Sequence, residues 1–130
     1  MRYLVYGAGA VGGYLGGSLA LAGYPVSFFD RPEVVRDLRS DGLTLEARGQ
    51  ARHLKSLALA TSLEHLPNLP DVLLLAVKAY DCAAAAEHIR DGLPRTVPVV
   101  CVLNGIGNEA TLAAALGPER VIAASLTSAI

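Results

Sequence analysis

The sequence predicts a doubly wound α/β domain on a mainly parallel sheet. Two observations carry this. Apolar runs of strand length alternate with helix-like segments along the chain, the order that places helices on both faces of a parallel sheet. Two of those runs, residues 72–77 and 97–103, are apolar almost without interruption, as strands covered on both faces must be.

The elements follow in order. Residues 2–6 read as a strand and 10–22 as a helix, with Val11, Leu15 and Leu19 at helical spacing on one face. Residues 25–29 form a second strand. A short helix at 32–39 has Pro32 in its first turn, where a missing N–H costs nothing. Within 42–59, Leu43 and Leu45 alternate with polar residues, Leu57 and Leu59 alternate with alanines, and Arg48-Gly49-Gln50 supplies a turn. A small two-stranded excursion is expected there. One helical turn is expected at 61–66, broken by prolines in 67–70. Then come a strand at 72–77, a helix at 83–90, and a strand at 97–103 with Pro98 near its start. A helix at 109–116 is stopped by Gly117-Pro118, and a strand at 121–126 closes the series.

Composition narrows the function. A length of 130 residues points to one domain, 1–130. Hydrophobic residues at 52 % exclude a disordered chain. A net charge of -1 argues against a nucleic-acid or membrane-surface protein held by basic charge. No apolar run approaches the ~20 residues of a membrane span. Cys82 and Cys101 form neither a disulfide framework nor a metal-ligand spacing, so no metal is expected and the expected setting is the reducing cytoplasm. Residues 127–130 follow a buried-looking strand, whereas chain ends are usually polar. The expectation is the N-terminal part of a longer two-domain protein, with the uncovered surface able to support a homodimer.

The chemistry starts at Gly7-Ala8-Gly9-Ala10-Val11-Gly12, a G-x-G-x-x-G that leaves the first strand and opens the first helix. In that context Gly7 makes the tight turn, Gly9 lets a pyrophosphate approach the backbone, and Gly12 lets the helix pack closely on the sheet. The helix N-terminus offers N–H groups to the anion. A dinucleotide-binding, Rossmann-type sheet follows. Gly13, Gly16 and Gly17 continue along the helix. Each costs about 1 kcal/mol against alanine, which suggests that close packing or close ligand approach is favoured over helix propensity.

Asp30 ends the second strand, where an acid binds ribose hydroxyls and favours NAD. Arg31 follows and can instead meet the 2′-phosphate of NADP. Asp30 could also merely cap the Pro32 helix. Lys78 and Asn104 each follow a buried strand, so both should converge with the glycine loop outside the carboxyl ends of the sheet. His53, His65 and His88 share no spacing and read as solvated.

With these residues in place the chain resembles the ketopantoate reductases (2-dehydropantoate 2-reductases). The matching segments are 3–13, 23–42 with Arg31, 71–81 with Lys78, and 102–109 with Asn104, and the resemblance covers the whole chain. It implies an oxidoreductase that reduces ketopantoate to pantoate with NADPH, a step towards pantothenate and coenzyme A. It implies the pyrophosphate on Gly7, Ala8, Gly9, Ala10, Val11 and Gly12, the 2′-phosphate on Arg31, and the nicotinamide end at Lys78 and Asn104. Asn104 would also touch a small keto-acid substrate. It further implies a helical second domain, absent from this chain, that carries a catalytic lysine as general acid. No catalytic residue is therefore expected here. Asp30 departs from the pattern, which more often has a small or apolar residue before the arginine, so NADP(H) and NAD(H) both stay open. The rival readings are a dehydrogenase for another hydroxy acid or an opine, and a non-catalytic dinucleotide-sensing domain. Lys78 and Asn104 at the nicotinamide end favour the enzyme.

Overall fold

The computed structural model describes residues 1–47, 49–103 and 107–124. Six strands form one parallel sheet: β1 (Tyr3–Tyr6), β2 (Val26–Phe29), β5 (Ala58–Ala60), β6 (Val72–Leu75), β7 (Val99–Cys101) and β8 (Val121–Ala123). Their spatial order is β5-β2-β1-β6-β7-β8, and every pair is parallel. The chain thus winds outwards from β1 in one direction, then returns and winds outwards from β6 in the other. A crevice opens where the two halves part, at the carboxyl ends of β1 and β6. Among the described residues four α-helices accompany the sheet: α1 (Ala10–Leu21), α2 (Pro32–Asp41), α3 (Cys82–Gly92) and α4 (Asn108–Leu116). The doubly wound α/β fold expected from the sequence is the fold observed.

The strands alternate sides as their residues dictate. Leu4, Tyr6, Leu73 and Leu75 face one way and form the main core with Ala85, Ala86 and Ile89 of α3. Val5 and Phe28 face α1. The face of α1 that packs is its glycine face, because Gly12, Gly13, Gly16 and Gly17 are buried while Val11, Leu15 and Leu19 are only partly covered. A Cβ on Gly16 would lie 2.5 Å from the Phe28 ring, and one on Gly17 would lie 2.7 Å from Leu45. Glycine at these positions brings the helix axis close enough for Phe28 and Leu45 to fill the space.

The excursion also differs in detail. A separate antiparallel hairpin joins β3 (Leu43–Ala47) to β4 (Gln50–Leu54). Its turn holds Gly49 at φ +76°, and Arg48 lies outside the described residues. The Leu57/Leu59 segment assigned to that hairpin from sequence instead enters the main sheet as β5, paired with β2. β4 is almost wholly exposed, so it has no buried face to impose an alternating pattern.

No helix forms at 61–66. This segment begins the passage from the top of β5 to the bottom of β6, three strand spacings away. Pro67 disfavours helical backbone at the residue before it, so a helix here could not run on past 65. The passage is held by Leu63, buried against Gly92 at the end of α3. The strands expected at 72–77 and 97–103 shorten to β6 and β7. Pro98 precedes β7, its carbonyl accepting from the Leu73 N–H at 3.0 Å. Residues 125 and 126 of the expected last strand lie outside the described residues.

Arg120 follows α4 in a 3₁₀ turn and is 5 % exposed. Its Nε donates to the Val97 carbonyl at 2.7 Å and its Nη2 to the Pro94 carbonyl at 2.8 Å. Burial lowers its pKa, with Arg95 adding to the effect. Arg120→Ala strands two carbonyls and should lower stability by about 2 kcal/mol in chemical denaturation. An unchanged midpoint would show that the tie is idle.

Candidate functional site

The loop between β1 and α1 is fixed from both sides. The Gly7 N–H donates to the Phe29 carbonyl at 2.9 Å, and the Ala76 N–H donates to the Tyr6 carbonyl at 2.9 Å. Gly7 adopts φ +103°, and a Cβ there would lie 2.8 Å from the Ala76 oxygen. Gly12 is tighter still, since a Cβ would sit 1.8 Å from the Gly7 oxygen. In front of Gly9 the space is open, with no atom within 4 Å of a Cβ. The two outer glycines thus shape the loop, and the middle one faces room for a ligand.

Gly9 is the N-cap of α1. No side chain caps that end, and no acidic side chain stands in its first turn. Its first-turn N–H groups and positive dipole end are therefore left for an anion. This is the local chemistry a pyrophosphate requires.

The groove in front of this loop has a volume of about 880 Å³, within the range of small-molecule sites. Its floor is the loop from Gly7 to Val11. Asp30 and Arg31 line it after β2, Lys78 and Tyr80 after β6, and Leu103 after β7. The three strand ends thus meet in one crevice. Gly12 lies beneath it, buried in the contact with Gly7. Asn104 and Gly105, expected next to Leu103, lie outside the described residues. Lys78 is exposed and precedes the 3₁₀ turn Ala79–Asp81, which leads into α3.

Asp30 makes contacts the sequence did not suggest. Its Oδ2 accepts from the Ala8 N–H at 2.8 Å and its Oδ1 from the Arg31 N–H at 2.7 Å. It does not cap α2, whose N-cap is Arg31 with no side-chain cap bond. The Arg31 guanidinium lies 3.9 Å from Asp30 and 3.6 Å from Glu33, and is 76 % exposed.

His88 is the residue that sequence reasoning missed. It is partly buried and lines the groove, packed beside Tyr6 and Phe29. Its Nδ1 is 2.8 Å from the Tyr6 hydroxyl. The signal was present, because Ala84, Ala85 and His88 share one face of α3, but nothing in sequence pairs His88 with Tyr6. Burial, then the carboxylates of Asp30 and Asp81, push the Tyr6 phenol up to about 12. A phenol that keeps its proton donates to Nδ1 or accepts from it according to the tautomer of His88. The unfolded chain ionises this group near pH 10, so its contribution to folding is full below pH 10 and is lost as pH rises from 10 to 12. Tyr6→Phe should flatten the alkaline fall of the melting temperature over that interval. An equally steep fall in the variant would remove Tyr6 as its source.

Among the described residues no group of three or more His, Cys, Asp or Glu side chains could hold a metal ion, and no helix is long and apolar enough to cross a membrane. Cys82 and Cys101 are free and buried, and burial raises both thiol pKa values.

Comparison with known proteins agrees with this geometry. The family described as "Ketopantoate reductase PanE/ApbA" matches residues 3–130. The "Uncharacterized oxidoreductase YkpB" of Bacillus subtilis is 31 % identical over 123 residues, 94 % of this chain and 39 % of that protein. The 2-dehydropantoate 2-reductase of Archaeoglobus fulgidus is 34 % identical over 113 residues, 86 % of this chain and 35 % of that protein. The chain thus spans well under half the length of these curated relatives. The crystal structure of 2-dehydropantoate 2-reductase from Methylococcus capsulatus superposes with a TM-score of 0.82 at 28 % identity, covering 96 % of this chain and 40 % of that one. D-mandelate dehydrogenase with NADH and anilino(oxo)acetate superposes equally well, with a TM-score of 0.82 at 25 % identity over 96 % of this chain and 40 % of that one. With a match that runs from the first strand of the sheet past its last, the chain belongs to the ketopantoate reductase family of oxidoreductases.

Proposed function

We propose that the groove binds NADPH and that residues 1–130 are the dinucleotide-binding domain of a longer, cytoplasmic enzyme that reduces 2-dehydropantoate to pantoate. The observation that carries this reading is the open space over Gly9, at an uncapped helix end where the strand order reverses. The α1 N-terminus and the loop from Gly7 to Val11 would hold the pyrophosphate. Arg31 would meet the 2′-phosphate. Lys78 and Asn104 would border the nicotinamide and the keto acid. When bound, the cofactor supplies the hydride for the keto carbon. Orientation of that cofactor is the task of this chain, and the general acid would come from the rest of the protein.

The D-mandelate dehydrogenase likeness favours a second reading, NADH-dependent reduction of another 2-keto acid. Fluorescence titration with NADPH and NADH tests the binding claim. Saturation by either is the expected result, and no binding at millimolar ligand would overturn both readings. Turnover of 2-dehydropantoate against other 2-keto acids by the full-length enzyme then chooses between them. Among the described residues β8 is the last strand of the sheet, with Ile122 about half exposed, and such an edge favours pairing between copies. Light scattering of this chain should show concentration-dependent association; a monomer at all concentrations would exclude it.

A further inference from the structure

We propose that Asp30 is a positioning residue for the glycine loop, a role that rests on the dinucleotide-binding reading above and assigns Asp30 no contact with the ribose. Its side chain is 18 % exposed. Each carboxylate oxygen is engaged by the backbone, Oδ2 by the Ala8 N–H at 2.8 Å and Oδ1 by the Arg31 N–H at 2.7 Å. One side chain therefore ties the end of β2 to the loop that leaves β1.

The position of this tie gives it its effect. Gly7 and Gly9, on either side of Ala8, have no side chains with which to hold the loop. The Gly7 N–H is anchored to Phe29, one residue before Asp30. The carboxylate extends that anchor to the next peptide, so the residue before Gly9 is ordered before any ligand arrives. A ligand that finds the loop already formed does not have to order it. The same two bonds keep the negative charge on the loop side, and charge-assisted bonds to N–H groups are among the stronger ones. Asp30 thereby helps either dinucleotide through the pyrophosphate they share, and leaves their distinction to Arg31.

Asp30→Ala and Asp30→Asn, with NADPH, NADH and backbone amide exchange as probes, test the assignment. Asp30→Ala should weaken NADPH and NADH together, each roughly tenfold, the scale set by ordering one residue. The ratio of the two constants should change less than about twofold. In the ligand-free chain the Ala8 amide should exchange faster. Asp30→Asn keeps a carbonyl oxygen for Ala8 and should recover most of the affinity for both. Loss of NADH affinity alone would make Asp30 a ribose ligand and overturn the assignment. Tighter binding of both dinucleotides would show that the carboxylate acts by charge repulsion, and would overturn it as well. Unchanged Ala8 exchange would do the same from the structural side. A chain that binds neither dinucleotide unaltered would fail at the earlier step and overturn the binding reading itself.

Discussion

Gly9→Val should weaken dinucleotide binding at least tenfold and lower the melting temperature by only a few degrees, whereas Gly12→Ala should lower it by roughly 10 °C or more. The two glycines lie three residues apart, one at the N-cap of α1 and one inside it, yet their surroundings are opposite. A Cβ on Gly9 meets no atom within 4 Å, and its backbone, at φ -75° and ψ -159°, suits any residue. The fold loses only a favoured N-cap residue, about 1 kcal/mol. The branched side chain instead fills the room in front of the helix end, where a pyrophosphate has to reach the N–H groups. Exclusion from that room costs at least about 1.4 kcal/mol, a factor of ten in affinity. A Cβ on Gly12 would lie 1.8 Å from the Gly7 oxygen and 3.1 Å from Val5. The first neighbour is backbone, pinned by the bond from Gly7 to Phe29, and it cannot move aside. Overpacking of this kind costs about 3 kcal/mol or more. Calorimetric affinity and thermal melting of the two variants separate the effects. Equal affinity for Gly9→Val and the unaltered chain would return the loop to a purely structural role, and an unshifted melting curve for Gly12→Ala would contradict the packing described for α1.

What was legible in sequence was what a local pattern can carry. The runs starting at Val72 and Val97 announced buried parallel strands, and the strand–glycine loop–helix sequence announced its crevice. On α1 the glycines at 12, 13, 16 and 17 announced the close packing that is observed, whereas the stripe of Val11, Leu15 and Leu19 that periodicity counts is only partly covered. β4 was missed because an exposed arm bears no hydrophobic alternation. Ala58–Ala60 was assigned to the wrong sheet because its partner β2 is remote in sequence. At the site, the glycine loop and the basic residue Arg31 could be read from motif and position. The turn of Asp30 onto Ala8, across 22 residues, and the pairing of Tyr6 with His88, across 82, arise from the strand order. No spacing in the sequence encodes either.

Arg31→Ala should weaken NADPH by roughly 10- to 100-fold and NADH by no more than a few-fold. The 2′-phosphate adds nearly two negative charges beside the end of β2. Left as an open carboxylate ~4 Å away, Asp30 would oppose it by about 4 kcal/mol per unit charge at an effective dielectric of ~20. Its two oxygens are instead bound to the Ala8 and Arg31 N–H groups, which draws much of that field inwards. Glu33 lies 3.6 Å from the guanidinium but is 56 % exposed at its side chain, so water and salt weaken its hold. Arg31, itself 76 % exposed, can leave these neighbours at little cost and turn its planar fork to a phosphate. A charge-assisted contact of that type contributes about 1.5–3 kcal/mol, and this sets the expected loss. NADH lacks the phosphate and should be almost indifferent. The contact should also fade with salt more steeply for NADPH than for NADH. Titrations of both dinucleotides at low and high ionic strength check the pair of expectations. An unaltered chain that prefers NADH, with Arg31→Ala affecting the two alike, would place Arg31 on the adenine common to both and reverse the cofactor assignment.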